Sequence, residues 1–268
     1  MQKQFSLALF AGLIFATGGL LTSASAESCP LDSGCYFDRM EVEIGAEVAP
    51  KKLPRHEMAP VALEVHGEIG TTGGGHPSAL REAHVDVDRN VRIDVRGLPA
   101  CGLRDLQRRR VAAARNFCRK AIVGSGMSHI GFALSGGRVA APLTLFNGGS
   151  HDGLTTLFVH SAIAAPGPVP IVSVVKVSKF GKDDGLRMVW RLPRIIDGTG
   201  SLLDFRLRIE RHFWAGREEH SYVAARCEDE RFLVNLKKLL FRNEAKMPGV
   251  ASQTVMKGGI DVPCIPSG

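Results

Sequence analysis

Aromatic residues are scarce in this chain: 6% of 268 residues, with two tryptophans and two tyrosines. The core needs most of them, which argues against an exposed sugar-stacking platform at Phe213, Trp214 and Tyr222. Metal-site spacings are missing too. No H-E-x-x-H or C-x-x-C occurs, so His56, His66, His76 and His84, with Glu64 and Glu68, read as scattered surface groups. The glycine-rich stretch at residues 67–75 leads into His76-Pro77 and a further strand rather than a helix, which excludes a phosphate cradle. No G-x-S-x-G elbow is present. Ser150-His151-Asp152 holds the residue types of a hydrolase triad, but consecutive residues do not align in series, and the flanking glycines make it a hairpin loop. The sequence therefore names no catalytic residue, no metal ligand and no cofactor.

Only one apolar run is long, and it lies at the start. Lys3 precedes an apolar stretch over residues 5–21, and Ala24-Ser25-Ala26 forms a small-residue cleavage site before Glu27. Residues 1–26 thus read as a signal peptide, which predicts a secreted or cell-envelope protein with no transmembrane segment after cleavage. Residues 27–56, rich in turn formers, are expected to be irregular, and residues 57–268 to form a β-rich secreted domain.

Strand periodicity dominates that domain. Leu203, Phe205, Leu207 and Ile209 alternate with Asp204, Arg206, Arg208 and Glu210, and residues 61–69 alternate likewise. Further strand-like runs cover residues 130–134, 143–146, 154–163, 171–180, 186–192, 202–211, 221–227 and 232–241. Residues 83–87 and 91–95, around Asp88-Arg89-Asn90, predict a hairpin. The fold class is mainly β: an antiparallel β-sandwich, with a closed β-barrel as the alternative, and one amphipathic helix near residues 107–122.

Beyond the leader the chain carries 33 basic and 27 acidic residues, net +6, and residues 104–120 alone account for +6. At 100° per residue, Leu106, Ala113, Ala114, Phe117, Cys118 and Ala121 share the apolar side of that helix. Arg108, Arg115 and Arg119 fall within about 40° of one another on a different side. The stripe is an anion-binding candidate, suited to phosphate or carboxylate.

All six cysteines follow the leader, so they are expected to oxidise. Fifteen pairings are possible, and chain order suggests Cys29–Cys35, Cys101–Cys118 and Cys227–Cys264. A helix starting at Leu103 would place Cys118 roughly 22 Å from that start, too far for a disulfide to the adjacent Cys101. The bridge fits if residues 102–106 fold back along a helix starting near Gln107.

Several short motifs recur in a fixed order: Pro54-Arg55-His56, Ala59-Pro60-Val61, Arg96-Gly97-Leu98-Pro99 before Cys101, and Cys118 followed by Ala121-Ile122-Val123-Gly124-Ser125-Gly126. Phe146-Asn147-Gly148, Gly198-Thr199-Gly200 through Asp204-Phe205, and Tyr222-Val223-Ala224-Ala225-Arg226-Cys227 follow. On these motifs the chain resembles an uncharacterised family of secreted actinobacterial proteins. The resemblance implies export and the Cys101–Cys118 and Cys227–Cys264 pairs. It implies no reaction and no site.

Taken together, these features predict a non-catalytic extracellular or cell-surface protein that binds anionic envelope polymers or headgroups through the basic helix, without reading nucleic-acid sequence. The alternatives are a secreted hydrolase with a site assembled from distant strands, and a lipocalin-like carrier of a small ligand.

Overall fold

The computed structural model describes residues 19–20, 39–133, 135–163, 169–181, 185–247 and 250–268. Eleven long strands carry the fold: β1 (Met40–Ala49), β2 (Ala62–Thr71), β3 (Ala79–Val87), β4 (Ile122–Phe132), β5 (Arg138–His151), β6 (Leu154–Ile163), β7 (Val169–Phe180), β8 (Gly185–Arg191), β9 (Gly200–Ile209), β10 (Arg231–Arg242) and β11 (Gln253–Pro263). They form one antiparallel sheet in the order β1-β2-β9-β4-β5-β6-β7-β8-β3-β10-β11. A two-residue strand, Gly19–Leu20, pairs with Glu43 and Ile44 at the β1 edge. β11 returns alongside β1, so the sheet curls into a barrel that is closed except for a ladder at this last junction.

The sandwich expectation thus gives way to its barrel alternative. The barrel keeps one sandwich-like trait, because β9 comes within 8 Å, Cα to Cα, of β3 on the opposite wall. Small residues allow that approach: Phe205 on β9 lies over Gly67 of β2, and Ala83 is the inward residue of β3 beside Trp190. Trp190 and Phe205 meet edge-to-face across the interior at 6.0 Å.

Register keeps the apolar residues on one face. Leu63, Val65 and Gly67 face Ile209, Leu207 and Phe205, and Val85, Met188 and Leu236 stand side by side. The alternate positions hold polar residues, such as Asp86, which takes two hydrogen bonds from Arg187 at 2.7 and 2.8 Å. At the β5–β6 hairpin, Asp152 and Gly153 both have positive φ, 50° and 74°, matching a two-residue type I′ turn. The Ser150-His151-Asp152 motif is the exposed end of β5 and the first residue of that turn.

Four sequence expectations change. Residues 27–56 are not irregular throughout, since β1 lies within them and buries Met40, Val42 and Val48 inward. The hairpin across Asp88-Arg89-Asn90 does not form. The Asp88 carboxylate accepts from the backbone N–H of Asn90 (2.8 Å) and Leu233 (2.7 Å), which fixes a turn but sends Val91–Ile93 away to pair with Val223–Ala225. The helix near residues 107–122 is two short helices, α1 (Leu103–Gln107) and α2 (Val111–Phe117), followed by a 3₁₀ turn at Arg119–Ala121. The chain breaks at Arg108–Arg110 and folds back, which brings the Cα atoms of Cys101 and Cys118 to 5.7 Å for their disulfide. α1 itself therefore starts at Leu103, and the fold-back comes after it rather than before it.

Cys227 and Cys264 form the second bridge. Cys29 and Cys35 lie outside the described residues. Two disulfides are compatible with an oxidising, extracytoplasmic setting. Among the described residues no helix is long and apolar enough to cross a membrane.

Candidate functional site

Two regions bear on function, and both use the strands β5–β7. The first is the barrel interior. An eight-stranded barrel is narrow enough to be filled by its own side chains, whereas wider barrels enclose space. Here eleven strands surround a cavity of about 210 Å³. Ten of them contribute lining side chains; β4 does not, because Gly124 and Gly126 take its inward positions opposite Ile209 and Leu207. A Cβ at Gly126 would fall 2.1 Å from the Arg206 carbonyl oxygen, so the β4–β9 approach requires glycine there.

Every lining residue is aliphatic or aromatic. The indole N–H of Trp190 is satisfied within the wall by the Ser173 hydroxyl at 2.8 Å. The hydroxyls of Ser128 and Ser161 donate to the carbonyls of Ala141 and Pro142, each at 3.1 Å. The Tyr222 hydroxyl is buried without a hydrogen-bond partner among the described residues, and it does not reach the cavity surface, which is apolar throughout.

One end of the barrel is plugged. Ala59–Pro60, Val223–Ala225 and Val91–Ile93 form a three-stranded sheet whose Val223, Ala225, Val91 and Ile93 line the cavity. The Cys227–Cys264 bridge ties the plug's strand to the end of β11. A hairpin of His212–Ala215 and Glu218–Ser221 is fastened to it through Asp94, which accepts from Arg96 and, at 3.2 Å, from His220. Burial works to raise the Asp94 carboxyl, but these hydrogen bonds outweigh it and hold the group at about 2. Phe213 and Tyr222 are buried as core residues, as the sequence suggested, while Trp214 is exposed.

The second region is a cap on the outside of the wall. Phe146, Phe158 and Val172 point outward from β5, β6 and β7 and would meet water were they not covered by Leu106, Ala114, Ala121 and the Cys101–Cys118 bridge. His160, fully buried on β6, anchors the cap. Its Nε2–H donates to the carbonyl oxygens of Leu106 (3.2 Å), in the last turn of α1, and Arg109 (3.0 Å), in the turn that follows. Burial lowers the His160 pKa, so the imidazole is neutral.

The three candidate arginines belong to this cap but not to one helix. Arg108 lies in the turn ending α1, Arg115 on α2, and Arg119 opens the 3₁₀ turn. The single helical stripe drawn from sequence is therefore broken by the fold-back. All three are exposed, and among the described residues none of their side chains has an ion pair or hydrogen bond. Phe117, placed on the apolar side by periodicity, is 60% exposed, with the Arg109 guanidinium 3.7 Å over its ring.

Among the described residues no cluster of three or more histidine, cysteine, aspartate or glutamate side chains could hold a metal. His–carboxylate pairs exist, among them His129–Asp204 at 2.7 Å and His220–Asp94 at 3.2 Å, but among the described residues no serine or threonine hydroxyl hydrogen-bonds to their histidines. The cavity contains neither histidine nor carboxylate. A hydrolytic triad has no place inside it.

No known protein family, curated protein or solved structure matches the chain.

Proposed function

We propose that this is an exported, non-catalytic carrier that holds a small apolar molecule inside its barrel. The cavity carries this reading: a space of about 210 Å³ inside the barrel whose surface is apolar. Empty apolar space of this kind stays dry and favours apolar guests; an engineered cavity of about 150 Å³ takes up benzene or xenon. Transfer of an apolar molecule from water into it is driven by the hydrophobic effect, with little shape change required of a wall held by ten ladders.

The test is titration of the purified, oxidised protein with naphthalene followed by fluorescence, and with xenon followed by NMR. Saturable binding of both, weakened in Val234→Phe because the larger ring fills part of the cavity, is expected. Absence of binding up to the solubility limit sinks the reading.

A second reading concerns where the carrier sits. Arg108, Arg115 and Arg119 are exposed and unpaired among the described residues, and Phe117 stands exposed beside them. Such a surface suits anionic envelope polymers or headgroups, with contacts made by guanidinium groups and weakened by salt. Retention on an anionic polymer that collapses as salt is raised supports this role; no retention at low salt removes it.

A further inference from the structure

The plug closes one end of the barrel; the other end is crossed by connections between strands. β8 and β9 are not neighbours in the sheet, nor are β2 and β3, so residues 192–199 and 72–78 each span the interior at the end away from the plug. Residues 192–199 form the strap that seals it: Leu192 and Ile195 are each only 9% exposed and belong to the main core.

This strap is closed under strain. Ile196, Asp197 and Gly198 have φ of 43°, 51° and 91°, three left-handed residues in a row. Glycine adopts that region freely, whereas a β-branched residue does not, so Ile196 is the costly member. Such conformations persist only where the surroundings impose them. The Ile195 carbonyl accepts from the N–H groups of Gly198 (3.0 Å) and Gly200 (3.1 Å), which closes the strap's turn on itself. Beyond that turn, among the described residues, its backbone is tied to neighbouring strands only near its ends. The Leu192 N–H donates to the Arg81 carbonyl, and the Thr199 carbonyl accepts from the Ala133 N–H, both at 3.0 Å.

The middle of the strap is fastened by one side chain. Glu244, just past β10, is about nine-tenths buried against Gly198, where a Cβ would fall 2.6 Å from the Glu244 Cβ. Its Oε1 lies 3.3 Å from Nε of Arg81 on β3 and 3.4 Å from Nε of Arg194 on the strap. One carboxylate oxygen thus ties strap to wall. Oε2 is buried with no hydrogen-bond partner among the described residues. A buried carboxylate satisfied on one side only is a weak fastening. The plug, by contrast, is held covalently by Cys227–Cys264.

Resting on the carrier reading, we propose that residues 192–199 are the door of the barrel. The strap lifts from Glu244, Leu192 and Ile195 leave the end of the interior, and the guest enters and leaves there. Lifting releases the three left-handed residues, which offsets part of the cost of exposing Leu192 and Ile195 to water. A door of this kind sets rates rather than affinity. Glu244 and Arg194 do not line the cavity, so loosening them speeds entry and exit alike.

The experiment follows naphthalene entering the oxidised protein by stopped-flow fluorescence, and its release when displaced by excess octane. In Glu244→Gln both rates are expected to rise about tenfold, the effect of one charge-assisted contact, with Kd unchanged. Arg194→Gln, at a side chain 67% exposed, should act in the same direction without disturbing the core. Replacing Cys227 and Cys264 together with serine loosens the opposite end and should leave both rates as they were. Rates unmoved by Glu244→Gln and Arg194→Gln overturn the door and send the guest through the wall. Rates raised equally by the cysteine pair also overturn it, because exchange then follows global stability. Both outcomes leave the carrier reading standing. Naphthalene that does not bind the wild-type protein overturns the carrier reading and the door with it.

Discussion

The barrel interior and the outer cap are opposite faces of the same strands. On β5 and β6, Leu145, Leu157 and Val159 point into the cavity, while Phe146, Phe158 and His160 point out beneath α1 and α2. The interior is wide and only partly filled; the cap is thin and tightly fastened, by a disulfide and a two-carbonyl histidine anchor. The contrast shows two ways of treating apolar strand surface. Facing inward it can be left as space for a guest. Facing outward it must be covered, and the cover is free to carry charge on its far side.

Four perturbations would separate the two regions. The largest effect is expected from Phe205→Ala, which removes half of the aromatic contact across the barrel; the loss should be about 3–5 kcal/mol in denaturant unfolding, with no effect on cap retention. Replacing Cys101 and Cys118 together with serine should cost about 2–4 kcal/mol and loosen the cap in hydrogen exchange, leaving guest binding intact. Acid should then act in sequence. The folded His160 pKa lies below its ordinary 6.5, so the neutral form is the one the fold prefers; that stability is full above about pH 6.5 and is lost as pH falls through the folded value. Asp94 is likewise depressed, and its contribution is lost between 3.8 and about 2. Hydrogen exchange should therefore show α1 opening at higher pH than Val223–Ala225, and His160→Gln should erase the first step. The smallest change in stability, within about 0.5 kcal/mol, is expected when Arg108, Arg115 and Arg119 all become glutamate. That variant should nevertheless lose retention on an anionic polymer while binding octane normally, and loss of both would show that cap and cavity are not separate.

The strand content was legible wherever one face is apolar and the other charged, as in Leu203 to Glu210. β1 was hidden because Gly45 interrupts its alternation and Pro50 and Pro54 follow closely; β11 was hidden by Gly258-Gly259. The break between α1 and α2 follows from tertiary closure of the Cys101–Cys118 bridge, which helical periodicity does not encode. The cavity was illegible for a different reason. Alternation specifies which face turns inward, but interior width depends on how many strands join before the sheet closes, and that is a property of the whole chain. Tyr222 was placed correctly in the core, yet nothing local marks its hydroxyl as unpaired.

The missing ladder between β1 and β11 has a consequence for traffic. At every other junction, parting the wall means breaking rows of backbone hydrogen bonds; at this seam, among the described residues, the two edges lie side by side without a ladder, and the Gly19–Leu20 strand pairs with β1 there. That short strand falls within the leader read from the sequence, so cleavage after Ala26 would carry it away. Without residues 19–20 the seam would be the side of the wall that opens at lower cost than the rest.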